Sequence, residues 1–191
     1  LKDKLCFAIY NTNPSEYSDN LIYINEQQSP ENIQIECLSV EDAEDKYTAY
    51  NEIMMASDAK YKVYIESDTY IVNKNFVKDV IRIFQQDSTI GVIGILGAKS
   101  LPQDEKKVYG KVIYDSLEHG AYVKEYFMPE NVWENVDTIE DILIVTSCDI
   151  PWQGGCSQNN INKQHCQAIQ KAGYKIVVAR QEIPWCLKET I

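Results

Sequence analysis

Apolar and polar positions along this chain follow two periods, and the switches between them outline its elements. The run LCFAIYN is apolar up to a polar stop at Asn11, the form of a buried first strand. IQIECLSV alternates and then runs into Ser39, with Asp42 three residues on, which resembles a capping box with Asp in place of Glu or Gln. Behind it Ala43, Tyr47, Tyr50 and Met54 recur at spacings of four, three and four, one face of a helix that ends near Ser57-Asp58. The strand KVYI follows. Phe76, Val77, Val80, Ile81 and Phe84 then mark a second helix, with Asn75 as its N-cap, and IGVIGILG reads as one more buried strand. The order is strand, connection, strand, helix, strand, helix, strand, which predicts a mostly parallel α/β sheet with helices on both faces.

The middle of the chain changes character. VYGKVIYD and AYVKEYF read as a small antiparallel insertion joined through SLEHG, and DILIVTSCDIPW as a further strand leaving the core. NKQHCQAIQKAG is a helix stopped by Gly173, and YKIVVA a strand behind it. With no internal repeat and no low-complexity linker, residues 1–191 read as a single domain.

Charge narrows the partners. A net charge of −11 argues against a nucleic-acid-binding surface, which needs clustered Lys and Arg. No apolar run approaches the roughly 20 residues of a membrane-spanning helix. The start, LKDKLCFAIYN, lacks signal-peptide architecture, and its Leu in place of Met reads as a trimmed chain or fragment. Six scattered cysteines read as the reduced, mostly buried thiols of a cytoplasmic protein. A zinc site from Cys156, His165 and Cys166 lacks the paired spacing that such sites use. Trp152 and Trp185, each after a proline, read as packing residues and Lys99 as a solvated loop lysine, while His165 reads equally well as a surface helix residue or as a functional one.

One local signal carries chemistry. The run Val63 to Ile65 ends in Glu66-Ser67-Asp68, two carboxylates at the exit of a buried strand. Ligands of open α/β sheets bind beyond the carboxyl ends of the strands, and two carboxylates there repel unless a cation or hydrogen-bond donors compensate them. Mg²⁺ or Mn²⁺ bridging to a diphosphate would do so. Spacing alone leaves this level with a second reading, in which Glu66 faces solvent and Asp68 caps the following turn.

SDAKYKVYIESDTYIVNKNF, with AYNEIM before it and IGVIGILGAKSLP after it, resembles the bacterial glycosyltransferase-like group within the family-2 glycosyltransferases of GT-A fold. EDILIV with Asp141, CDIPWQ and KAGYKIVVARQEIPWC continue the same pattern in the same order, from about Tyr47 to Cys186. The resemblance implies a Rossmann-like sheet that binds a nucleotide-sugar donor and transfers its sugar to an acceptor in a metal-dependent reaction. It sets Tyr10 and Asn11 beside the nucleobase, Glu66 and Asp68 on Mn²⁺ or Mg²⁺, and Asp141 on the acceptor side. The chain departs from that pattern between DIPW and AGYK, where the catalytic acid falls near Asn162 and a metal-site histidine near Asn159. The stretch from Pro151 to Cys166 contains no Asp or Glu, so the candidate bases are Asp141 and Asp149. The alternative is a nucleotide- or sugar-binding protein that keeps the fold without a general base.

Overall fold

In the computed structural model, residues 3–153 and 158–190 are described. The core is a seven-stranded sheet in the order β2-β1-β3-β11-β5-β12-β9. Its strands are β1 (Asp3–Tyr10), β2 (Ile33–Val40), β3 (Tyr61–Glu66), β5 (Ile90–Gly94), β9 (Trp133–Asn135), β11 (Leu143–Thr146) and β12 (Lys175–Ala179). β1 pairs in parallel with both β2 and β3, and β5 with β12. β11 runs antiparallel between β3 and β5, and β9 antiparallel on the edge at β12.

Strand alternation sends successive side chains to opposite faces. Leu5, Phe7, Ile9, Val63 and Ile65 meet α3 (Phe76–Gln86) on one side. Cys6, Ala8 and Tyr64 meet α2 (Lys46–Ala56) and α4 (Gln158–Lys171) on the other. The apolar stripe of α3 is the predicted one, and Phe76, Val77, Val80, Ile81 and Phe84 are all buried. At Gly173 φ is +89°, a conformation glycine adopts cheaply, and this ends α4 as expected.

Three local expectations change. β2 extends through Ser39 to Val40 because it pairs with β1 along its whole length, so the cap of α2 is Asp45. Its Oδ1 accepts from the backbone N–H groups of Tyr47 and Thr48 at 2.9 and 2.8 Å. Ala43 lies outside the helix. Asn75 stands at the N-cap of α3 but makes no side-chain cap bond there. The segment expected to be a bare connection between β1 and β2 forms α1 (Pro14–Asn25), started by the Asn13 side chain and Pro14.

The run IGVIGILG is two strands rather than one. β5 ends at Gly94, and β6 (Leu96–Ser100) joins a second sheet ordered β10-β6-β7-β13-β4, with β8 on β7. That sheet comprises β4 (Thr69–Tyr70), β6, β7 (Lys106–Ser116), β8 (Gly120–Glu125), β10 (Thr138–Ile139) and β13 (Leu187–Thr190). The predicted antiparallel hairpin is present as β7 and β8. β7 and β13, however, pair in parallel. Gly110 on β7 has φ +110°, and a Cβ there would collide with the Ile95 carbonyl oxygen, so the crossing of the two sheets requires glycine. No helix among the described residues is long and apolar enough to cross a membrane.

Candidate active site

β1 and β3 are parallel neighbours, so their carboxyl ends open on the same edge with Tyr10 opposite Glu66. Five further contacts fix the Glu66-Ser67-Asp68 turn. The Ser67 N–H donates to the Tyr10 carbonyl at 3.1 Å, and Asn20 on α1 donates to the Ser67 carbonyl at 2.6 Å. Ser67 Oγ lies 3.0 Å from Thr12 Oγ1 and donates to Glu16 at 2.9 Å. The Glu189 N–H on β13 donates to the Asp68 carbonyl at 2.9 Å. Asn11 donates from Nδ2 to Glu41 at 3.0 Å and takes the Asn13 N–H on its Oδ1.

The direction of β11 decides which other carboxylates join them. Its antiparallel register sets Leu143 beside Ile65, so Asp141, two residues earlier, emerges at the same edge as Glu66. The opposite end of β11 pairs Thr146 with Lys62, near the start of β3, and Asp149 leaves the sheet there. Asp149 is bound at 2.7 Å to the buried Lys62 ammonium. The structure therefore gathers Tyr10, Asn11, Glu66, Asp68 and Asp141 at one edge and does not bring Asp149 to them.

Two lysines knit the three carboxylates into an alternating chain. Lys46, the first residue of α2, lies 2.6 Å from Asp141 and 3.1 Å from Glu66. Lys188 on β13 lies 2.5 Å from Asp68 and 3.7 Å from Glu66. The Tyr47 hydroxyl donates to the same Asp141 oxygen at 3.0 Å. Burial pushes the Asp141 carboxyl up, but Lys46 and the Tyr47 hydroxyl outweigh it and hold the group below the usual carboxylate range. Burial and the neighbouring Asp141 raise the Tyr47 phenol well above its ordinary value. Burial opposes the Lys46 charge, yet Asp141 and Glu66 together raise it. Sequence patterns gave no sign of Lys46, Lys188 or the Tyr47 hydroxyl as members of this group. Each joins it by a contact that local periodicity does not encode.

Beyond Asp141 a cleft of about 370 Å³ is lined by Lys106, Glu140, Asp141, Asn162 and Lys163, among others. Asn162 donates its Nδ2 to the Ile139 carbonyl. The amide thus stands beside Asp141, where the resemblance set a carboxylic acid, and α4 carries no acid along its length. Asn159 and Cys156 lie outside the residues whose side chains are described, and with Cys156 goes the zinc arrangement. The five described cysteines are free thiols.

His165 is not on the surface. It is 2% exposed, stacks on Trp152 at 3.6 Å, and neither ring nitrogen has a hydrogen-bond partner among the described residues. Burial lowers its pKa to about 4. The unfolded chain binds that proton more readily, so the contribution of a neutral His165 is complete above about pH 6.5 and is lost as pH falls towards 4. We expect wild type to lose about 2 kcal/mol by pH 5 relative to His165→Phe, measured by urea unfolding. Parallel losses in both proteins would contradict this. Trp152 and Trp185 pack in the core as expected, and Lys99 pairs with Glu134 at 2.7 Å.

Parallel strands flanked by helices, a second sheet beside them and an acidic turn at the β3 exit define a GT-A glycosyltransferase fold. The chain belongs to the glycosyltransferase-like family, whose pattern matches residues 6–191. S. aureus TarS (1–349) in complex with UDP-GlcNAc is similar in structure, with a TM-score of 0.65, 10% identity, and coverage of 100% of this chain and 59% of that one. The mannosyltransferase PcManGT from Pyrobaculum calidifontis in complex with GDP-Man and Mn²⁺ gives a TM-score of 0.58 at 10% identity, covering 97% of this chain and 56% of that one. This chain therefore spans a little over half the length of both. Among curated proteins, none matches the sequence.

Proposed function

We propose that this chain is the donor-binding and catalytic part of a metal-dependent glycosyltransferase that moves a sugar from a nucleotide-sugar to a glycan or small-molecule acceptor. One observation carries the reading: Glu66, Asp68 and Asp141 converge with Tyr10 and Asn11 beyond the carboxyl ends of β1 and β3. The donor set fits Mn²⁺ or Mg²⁺, because Glu66 and Asp68 offer hard oxygens and the Lys188 ammonium already stands between them as a cation. When bound, the divalent ion supplies Lewis-acid neutralisation of the leaving diphosphate.

The remaining roles belong to the chain. Tyr10 and Asn11 hold the nucleobase at the end of β1. Asp141 faces the cleft beside Asn162 and takes the acceptor hydroxyl's proton. A carboxylate held low by Lys46 is ionised and ready to accept, but it is a weak base, so slow turnover is expected. The free thiols support a reducing, cytoplasmic setting.

The amide at Asn162 favours a second reading, a nucleotide-sugar binder without transfer. Calorimetric titration with UDP and GDP, with Mn²⁺ and with chelator, tests what both readings share: metal-dependent binding is expected, and no binding under any condition overturns both. Release of free UDP or GDP from the matching nucleotide-sugar then separates transferase from binder.

A further inference from the structure

Lys188 has no catalytic or ligand-binding role in the reading above, yet its ammonium occupies the place the metal would take. It reaches the site from β13, a strand tied to the acidic turn by its pairing of Lys188 with Thr69 and by the Glu189 N–H on the Asp68 carbonyl. Its side chain is 17% exposed, and its ammonium lies 2.5 Å from Asp68 and 3.7 Å from Glu66. Lys46 is held more tightly on both sides, at 2.6 Å from Asp141 and 3.1 Å from Glu66, whereas the second contact of Lys188 is the longer one.

The charge count makes the difference consequential. Glu66, Asp68 and Asp141 carry three negative charges, and Lys46 and Lys188 two positive ones, leaving one net negative charge. Glu16 on Ser67 and Glu41 on Asn11 add negative charge close by. A diphosphate arriving alone is repelled by this surface. A divalent cation arriving alone must displace an ammonium from the two carboxylates it needs. When the two arrive together both obstacles fall: the carboxylates pass to the cation, and the freed ammonium meets the phosphate oxygens on a flexible four-carbon stem.

We infer that Lys188 is a resident stand-in for the metal, which leaves the carboxylate pair for the diphosphate when cation and nucleotide enter, and so makes each depend on the other. The diphosphate half of this rests on the donor-site reading proposed above; the competition for the carboxylates does not. Lys188 is accordingly a positioning residue.

The experiment is titration of Mn²⁺, followed by its electron paramagnetic resonance signal, into wild type, Lys188→Met and Lys188→Arg, first alone and then with saturating UDP or GDP. Without nucleotide, Mn²⁺ should bind Lys188→Met at least about tenfold tighter than wild type, because a like charge beside the ligands is gone. Lys188→Arg, which keeps the charge, should stay near wild type. The factor by which nucleotide strengthens Mn²⁺ binding should shrink about tenfold in Lys188→Met, since the phosphate loses its ammonium. Equal or weaker Mn²⁺ binding by Lys188→Met, or tightening by Lys188→Arg as well, overturns the inference. If neither nucleotide binds any of the proteins while Lys188→Met still tightens Mn²⁺, the donor reading falls and the stand-in role at the carboxylates stands.

Discussion

Asp68→Ala is expected to abolish Mn²⁺-dependent binding of UDP or GDP, weakening it at least about 100-fold, since loss of even an outer-shell partner of a metal ligand costs 10–100-fold. Asp68 is the outermost carboxylate of the turn, and its backbone is held by β13 rather than by its side chain. The substitution removes the ligand and leaves Lys188 paired only with Glu66 at 3.7 Å, a contact too long to hold the ammonium firmly. The fold should not suffer. Asp68 is about a third exposed, and an ion pair so placed contributes about 0–1 kcal/mol to stability. Loss of binding with an unchanged unfolding midpoint therefore localises the defect to the donor site. Binding that survives the substitution would place the metal elsewhere.

Trp152→Ala is expected to cost about 3–5 kcal/mol of folding stability, the usual range for removing a buried tryptophan. The indole is 3% exposed and touches Tyr47, Tyr50 and Tyr64 at ring-centre distances of 5.5, 5.7 and 5.7 Å, besides the His165 stack. Its backbone exchanges two 2.8 Å hydrogen bonds with Asn51 on α2. The residue thus fastens the loop after β11 to α2, the helix that presents Lys46 and Tyr47 to Asp141. Urea unfolding at pH 7 measures the loss. A change below about 1 kcal/mol would mean that the aromatic cluster closes over the gap, contrary to the packing density of protein interiors.

How much of this was legible beforehand follows from the range of each interaction. β1, β3, β11 and β12 read correctly because each is a short apolar run buried on both faces, and α3 because its stripe has the helical period. The acidic turn was legible for the same reason, since an apolar run ending in Glu66-Ser67-Asp68 is a local pattern. Asp149 could not be placed without knowing that β11 runs against its neighbours, which no local period records. α1 escaped because PSEYSDNLIYIN has only Asn20 and Ile24 buried, too few to form a stripe. The break at Ile95 arises from contact with Gly110, a residue fifteen positions on in the sequence. The lysines are the clearest case: Lys46 lies 20 residues from Glu66, and Lys188 lies 120 from Asp68. Folding alone makes them partners.

The most direct test is a crystal grown with Mn²⁺ and the nucleoside diphosphate that binds best, examined for anomalous scattering from manganese. One strong peak at the Glu66 and Asp68 carboxylates is expected, next to the diphosphate, with the base beside Tyr10 and Asn11. A nucleotide bound away from the β3 exit, or manganese bound without contact to Asp68, would contradict this.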